Sequence, residues 1–441
     1  SLSTLDFGSF SPCTVAYPRR VPAGHLRERA AARRFGPDGM GRESVIRCPA
    51  MHTSPEMSLD PQQVDPDVVA GLPKVVLNDQ LSGGLRPGTL IELSEDIEGG
   101  LPTTDPGELA QWFVDAGDSA CGSHVEEAFS YTLAAMQTAD AITRVAREAV
   151  EDLAGDNVVY AELRLAPELH LKGGLGLQDV VDAAVEGLSE GEEVAAEADH
   201  DITARLILTA LRGGDHSTDI ARLVIDNLPD NADHDYVVAF DLGGPEDGGP
   251  AERHAEAIQL LRDNLAPLTI HAGEEAGVES VQAAVIAGAN RIGHGPRVYE
   301  DLTSSMDGIE LQALSGHIRN RCIPLELCPT LNVQSGLVDS MADHPFPLLD
   351  DLGFTCTVNT GHRLLGGTTM TRELMTLVEI FDYGYTELFQ LTCNAIEAAF
   401  TDLPTRERIL DTLIYPAYLE LTDQDGDGEI DVDEVEEPTI G

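Results

Sequence analysis

Positive charge is what this 441-residue sequence most lacks. Its 27 lysines and arginines stand against 77 aspartates and glutamates, a formal net charge of −50 at pH 7. Lysine occurs only at Lys74 and Lys172, so nearly all the cations are arginine. Self-repulsion of that size argues against nucleic acid and anionic membrane surfaces as partners. A lysine-poor acidic surface instead suits concentrated salt, where the screening length falls to about 3 Å at 1 M. Cysteine is sparse and unpatterned. Cys13, Cys48, Cys121, Cys322, Cys328, Cys356 and Cys393 are odd in number and form no C-x-x-C pair. That argues against a disulfide framework or a thiolate zinc site, and for a reducing compartment. No run approaches the roughly 18 apolar residues of a membrane span, and the N-terminus has no apolar stretch of the signal-peptide kind. Cytoplasmic location is the expectation.

Three segments follow from composition. Residues 1–57 hold eight arginines and five acids amid Pro, Gly and Ser, with no sustained periodicity; they read as a disordered extension. Residues 58–415 alternate short apolar runs with helical stretches such as 107–116 and 125–153. Eight candidate strands fall at 75–78, 158–165, 203–210, 236–242, 267–271, 289–294, 323–328 and 354–359. Continuous apolar strands separated by helices fit a closed parallel (β/α)₈ TIM barrel better than an open sheet. Polar residues stand where the runs end: Asn78, Asp241, His271, His294, Cys328 and Asn359. In such barrels the strand C-termini line the active site.

The acidic tail, 416–441, contains an EF-hand-like loop. Asp423, Asp425, Asp427, Gly428, Glu429, Asp431 and Glu434 fill positions 1, 3, 5, 6, 7, 9 and 12 of a calcium loop. It is a lone copy with almost no exiting helix, and in so acidic a chain a chance acidic run is the rival explanation.

The chemistry concentrates in three motifs. "DLGGPE" follows the fourth strand, "HAGEEAG" puts His271 and Glu274 at the end of the fifth, and "RIGHG" puts His294 at the end of the sixth. Each alone is weak; in this order on successive strands they are specific. With "LPKVVLNDQLSGGLRPGTLIEL", "YAELRLAPELH", "LELCPTLNVQSG" and "HPFPLLDDLGFTCTVNTGHRLLGGTTMTRE", they make the chain from Leu72 to Leu413 resemble the adenosine deaminases of the amidohydrolase superfamily. The resemblance implies a metal-dependent hydrolase barrel whose zinc supports hydrolysis of the 6-amino group of adenosine to inosine and ammonia.

It also implies four zinc ligands: two histidines of a His-x-His after strand 1, one histidine after strand 5, and an aspartate after strand 8. Those positions are Asn78, Gln80, His271 and Gly361, so only His271 keeps its ligand. An aspartate that would contact substrate is Ser82, and the polar residue after the strand-8 aspartate is His362. Glu274 stands where the resemblance puts the proton donor to the purine ring. His294 stands where it puts the group orienting the attacking hydroxide, and Gly244 where backbone would face the purine.

Zinc lowers the pKa of bound water from 15.7 to about 7 and normally takes three or more protein ligands in a catalytic site. Amide oxygens are hard and neutral, better matched to calcium. Asp79 is no substitute, because strand neighbours point to opposite faces. Three readings stay open. One is a pseudoenzyme that has lost its zinc site and retains a place for a purine nucleoside. Another is a working purine deaminase with a non-standard metal site, in which His362 joins His271 and Gln80. The third is a calcium-responsive scaffold acting through its tail. The sequence names no protein partner.

Overall fold

Burial on both faces explains why each of the eight apolar runs folds as a strand. They form β1 (Lys74–Gln80), β2 (Val158–Leu165), β3 (Thr203–Leu211), β4 (Val237–Gly243), β5 (Leu268–Ala272) and β6 (Arg291–His294). A two-stranded antiparallel ribbon follows, β7 (Leu302–Ser305) and β8 (Gly308–Leu311), and then β9 (Leu325–Leu327) and β10 (Cys356–Val358). The structure, a computed structural model, describes residues 64–94, 100–119, 122–305 and 308–422. The expected extension 1–57 and the calcium-loop residues Asp423, Asp425, Asp427, Glu429, Asp431 and Glu434 lie outside the described residues.

The barrel order is β1-β2-β3-β4-β5-β6-β9-β10, every neighbouring pair parallel. With only three residues in β10, closure onto β1 is shared with a side chain. Asn359 Oδ1 accepts the Leu77 and Asn78 N–H groups at 2.7 and 3.1 Å. Beyond it, Gln80 N donates to Gly361 O at 2.8 Å, and Gly361 N to Asn78 O at 2.9 Å. The fold is a (β/α)₈ barrel, as expected from the sequence.

The helical stretch expected at 125–153 is two helices, Gly122–Ala135 and Ala139–Gly155. Thr138 starts the second by accepting the Ala141 N–H at 3.3 Å, a Thr N-cap. Gln137 ties the break to Leu169 O at 3.0 Å. Helix Ala139–Gly155 packs hard against helix Leu177–Glu197: a Cβ on Gly187 would fall 2.2 Å from Thr143 O.

Inside the barrel a charged lattice replaces part of the usual apolar filling. Glu326 on β9 accepts from Arg164, from Arg291 Nε at 2.6 Å, and from Thr269 Oγ1 at 3.2 Å. Arg291 also pairs with Glu162, donates to Ala398 O at 2.8 Å and lies 3.7 Å over the Phe400 ring. All of these charged groups are buried, and each has an opposite charge as partner, which is what a buried charge requires. Among the described residues no helix is long and apolar enough to cross a membrane. Cys328, Cys356 and Cys393 are free thiols.

Candidate active site

His271 ends β5 with its Nδ1 3.0 Å from Asp241 Oδ1 on β4. Arg164 Nη1 lies 3.1 Å from Asp241 Oδ2 and 3.2 Å from the same His271 Nδ1. A guanidinium only donates, and a carboxylate only accepts, so one arrangement serves all three groups. Nδ1 carries a proton toward Asp241, and Arg164 bonds to the other carboxylate oxygen. Burial opposes ionisation of Asp241. The His271 and Arg164 charges, with hydrogen bonds from His271 and Thr209, win and hold its carboxyl well below the usual range.

Glu274 and His294 meet across the mouth, Glu274 Oε2 3.4 Å from His294 Nε2. The His271 and His294 ring centroids are 5.1 Å apart. Burial, with the neighbouring Glu275 and Glu246 carboxylates, pushes the Glu274 carboxyl up to about 8, so near neutrality it holds a proton it can donate. Burial, then His271 and Arg164, push His294 down, so its ring is neutral. The loop carrying Glu274 is clamped by one side chain. Glu246 accepts the N–H groups of Gly273, Glu274 and Glu275 at 2.9, 2.8 and 3.0 Å. Gly273 makes that turn at φ +73°, where a Cβ would lie 2.7 Å from Val281 Cγ2. Gly244 lies just past β4 at φ +89°, exposed, with no atom closer than 3.7 Å to an added Cβ.

The positions matching the implied metal ligands are placed as follows. Asn78 is buried; its Nδ2 donates to Glu326 Oε2 at 3.4 Å and its Oδ1 has no partner. Asp79 faces outward, accepting from Thr360 Oγ1 at 2.7 Å and Arg363 Nε at 2.8 Å. Gly361 has φ +64°, and a Cβ there would fall 2.7 Å from Leu331 Cδ2 and 3.3 Å from Cys328 Sγ. His362 is turned into the wall. Its ring packs edge-on to Phe129 with centroids 4.6 Å apart, and a Cβ on Gly83 would sit 2.0 Å from its Nδ1. Burial, then His271, push His362 down to about 3, and its Nδ1 has no hydrogen-bond partner. A small cavity of about 10 Å³, room for about one water, lined by Ser82, Phe113, Phe129, Thr132 and His362 among others, lies on that side. Among the described residues no group of three or more His, Cys, Asp or Glu is placed to hold a metal ion.

Sequence reasoning found the residues whose types advertise chemistry and missed those that hold them. Arg164 and Glu246 were given no role, although "YAELRLAPELH" and "DLGGPE" contain them. A carboxylate that cradles three N–H groups some 28 residues away leaves no periodicity or spacing to find it by.

Comparison with known proteins places this geometry. A family model described as adenosine deaminase matches residues 73–416. An adenosine deaminase of Mycobacterium sp. (strain JLS) is 46% identical over 353 residues, covering 79% of this chain and 96% of the relative. That of Mycobacterium ulcerans is 44% identical over 355 residues, covering 80% and 97%. Among solved structures, an adenine deaminase from Arthrobacter aurescens superposes with TM-score 0.66 at 25% identity, covering 79% of this chain and 99% of that one. The Arabidopsis ADAL protein complexed with IMP superposes with TM-score 0.67 at 25% identity, covering 80% and 98%.

Proposed function

We propose that this chain, which belongs to the adenosine deaminase family, keeps the barrel and the purine-facing side of the site and has lost the catalytic metal. The observation that carries this is the donor set. The four implied ligand positions supply one imidazole, two neutral amides and no side chain at 361. Asn78 turns its amide nitrogen toward Glu326, and the space beside Gly361 holds Leu331 and Cys328. One imidazole with amide oxygens does not fit zinc, which takes Cys, His and carboxylate donors.

What is left suits binding. A protonated Glu274 donates a hydrogen bond, and a purine ring nitrogen accepts one. His294 stands beside it, and Gly244 leaves open backbone at the next strand end. A purine-nucleoside binder of the deaminase fold is the reading these residues support. The complexed purine nucleotide in the ADAL relative agrees with that ligand class.

The competing reading, a working deaminase, draws on the names of the relatives. Adenosine-to-inosine conversion decides, measured in molar salt so that misfolding does not imitate inactivity. The chain should make no more inosine than its Glu274→Ala variant. Asn78→His, Gln80→His, Ser82→Asp and Gly361→Asp together should restore turnover. Conversion by the unaltered chain well above the Glu274→Ala level would overturn the proposal.

A further inference from the structure

Behind His294 runs a line of hydrogen bonds whose directions are all set by one backbone group. Phe346 N–H meets His344 Nδ1 at 3.1 Å. A backbone N–H can only donate, so His344 Nδ1 must be the unprotonated nitrogen. His344 is buried, and burial alone pushes its pKa down to about 3, so the ring is neutral with its single proton on Nε2. His344 Nε2 lies 3.3 Å from the Asn332 side chain. An N–H there needs an oxygen, which fixes the Asn332 amide with Oδ1 toward His344. A flipped amide would set two donors against each other. Asn332 Nδ2 then faces His294 Nδ1 at 3.1 Å and donates to it. The neutral His294 ring must therefore carry its proton on Nε2, the atom 3.4 Å from Glu274 Oε2.

We propose that Asn332 and His344 are positioning residues that lock His294 in its Nε2–H tautomer, so that it presents a hydrogen-bond donor to the mouth of the barrel. The line is rigid at every joint. Asn332 and Phe346 are fully buried, and His294 and His344 nearly so. Asn332 also sits in the short helix Pro329–Gln334, with its N–H bonded to Cys328 O at 2.8 Å. His294 Nε2–H beside Glu274 makes a mouth that takes acceptor atoms, a ring nitrogen or an oxygen. The lock is present whether or not the chain turns over substrate or binds metal, so it stands or falls apart from the functional proposal.

Imidazole ¹⁵N spectra of the full chain, labelled at histidine and recorded in molar salt, test this directly. Signals of His344 and His294 are assigned by their loss in His344→Gln and His294→Gln. Both rings should show an unprotonated Nδ1 and a protonated Nε2. Asn332→Asp keeps the size but accepts at both oxygens. It should leave His344 unchanged and switch His294 to the Nδ1–H form. His344→Gln, whose amide can accept from Phe346 N–H and donate to Asn332 Oδ1, should preserve the His294 pattern. A role in packing alone moves no tautomer. A wild-type His294 protonated on Nδ1 overturns the proposal without any variant. So does a folded Asn332→Asp chain that keeps the Nε2–H pattern.

Discussion

Replacing Arg291 by methionine should be among the most damaging single changes this barrel can suffer, and the structure sets the size. Methionine keeps most of the length and apolar contact of the arginine stem, so packing loss is small. What disappears is the charge between Glu162 and Glu326, the bond to Ala398 O at 2.8 Å, and the stacking on Phe400 at 3.7 Å. Glu326 keeps Arg164, and Glu162 keeps the Tyr160 hydroxyl at 2.9 Å and the Phe400 N–H at 2.6 Å. Removing one partner of a buried pair costs about 3–5 kcal/mol. Protonating a stranded glutamate instead costs about 3–4 kcal/mol at pH 7 from an ordinary carboxyl value. Neither escape is cheap, so Arg291→Met should lose about 3–5 kcal/mol in urea unfolding. Arg408→Met is the control. Its pair with Asp201, 3.3 Å apart and roughly half exposed, should contribute about 0–1 kcal/mol. That small effect should fade as salt rises, while the Arg291 deficit should persist. An Arg291→Met loss below about 1 kcal/mol, with the urea slope unchanged, would refute the lattice as a stabilising necessity.

The other predictions concern single positions. Gly187→Ala should destabilise by about 1–3 kcal/mol in the same assay, because the new Cβ must displace Thr143 O, backbone that cannot step aside; an unchanged midpoint would contradict the packing described. Unfolded Glu274 loses its proton above about 4.5, whereas the folded chain holds it to about 8, so this residue makes stability fall as pH rises between those values. Glu274→Gln should remove that fall, so its advantage over the parent chain should grow from pH 4.5 to 8 and then level; parallel stability–pH curves would count against a raised Glu274. Gly361→Asp alone should cost about 1–2 kcal/mol from its left-handed φ, plus whatever Leu331 loses in moving aside. Equal stability would mean that the space beside 361 is open.

The barrel was legible because its strands are buried on both faces and therefore written as apolar runs. The β7–β8 ribbon was not: "LTSS" and "GIEL" mix partly and fully exposed residues and hold no such run. The helix break near Thr138 was hidden because the alanine-rich flanks keep a helical rhythm across it, and only the cap and Gln137 interrupt it. In the site, His271, Glu274 and His294 were visible as reactive residue types at strand ends. Their supports were not. Arg164, 107 residues away, lies beside His271 and pairs with its partner Asp241, and Asn332 reaches His294 from 38. Such partners are joined only by the closing of the barrel. The resemblance located the substituted ligand positions, but it could not say what fills them: Leu331 and Cys328 beside Gly361, and Glu326 beneath Asn78.

Zinc stoichiometry tests the central claim most directly. The full chain, equilibrated with excess zinc in molar salt and then passed free of unbound metal, should retain far less than one zinc per chain. What remains should be unaffected by His271→Ala. The Asn78→His, Gln80→His, Gly361→Asp chain treated alongside should retain close to one. One zinc per unaltered chain, lost on His271→Ala, would contradict the account.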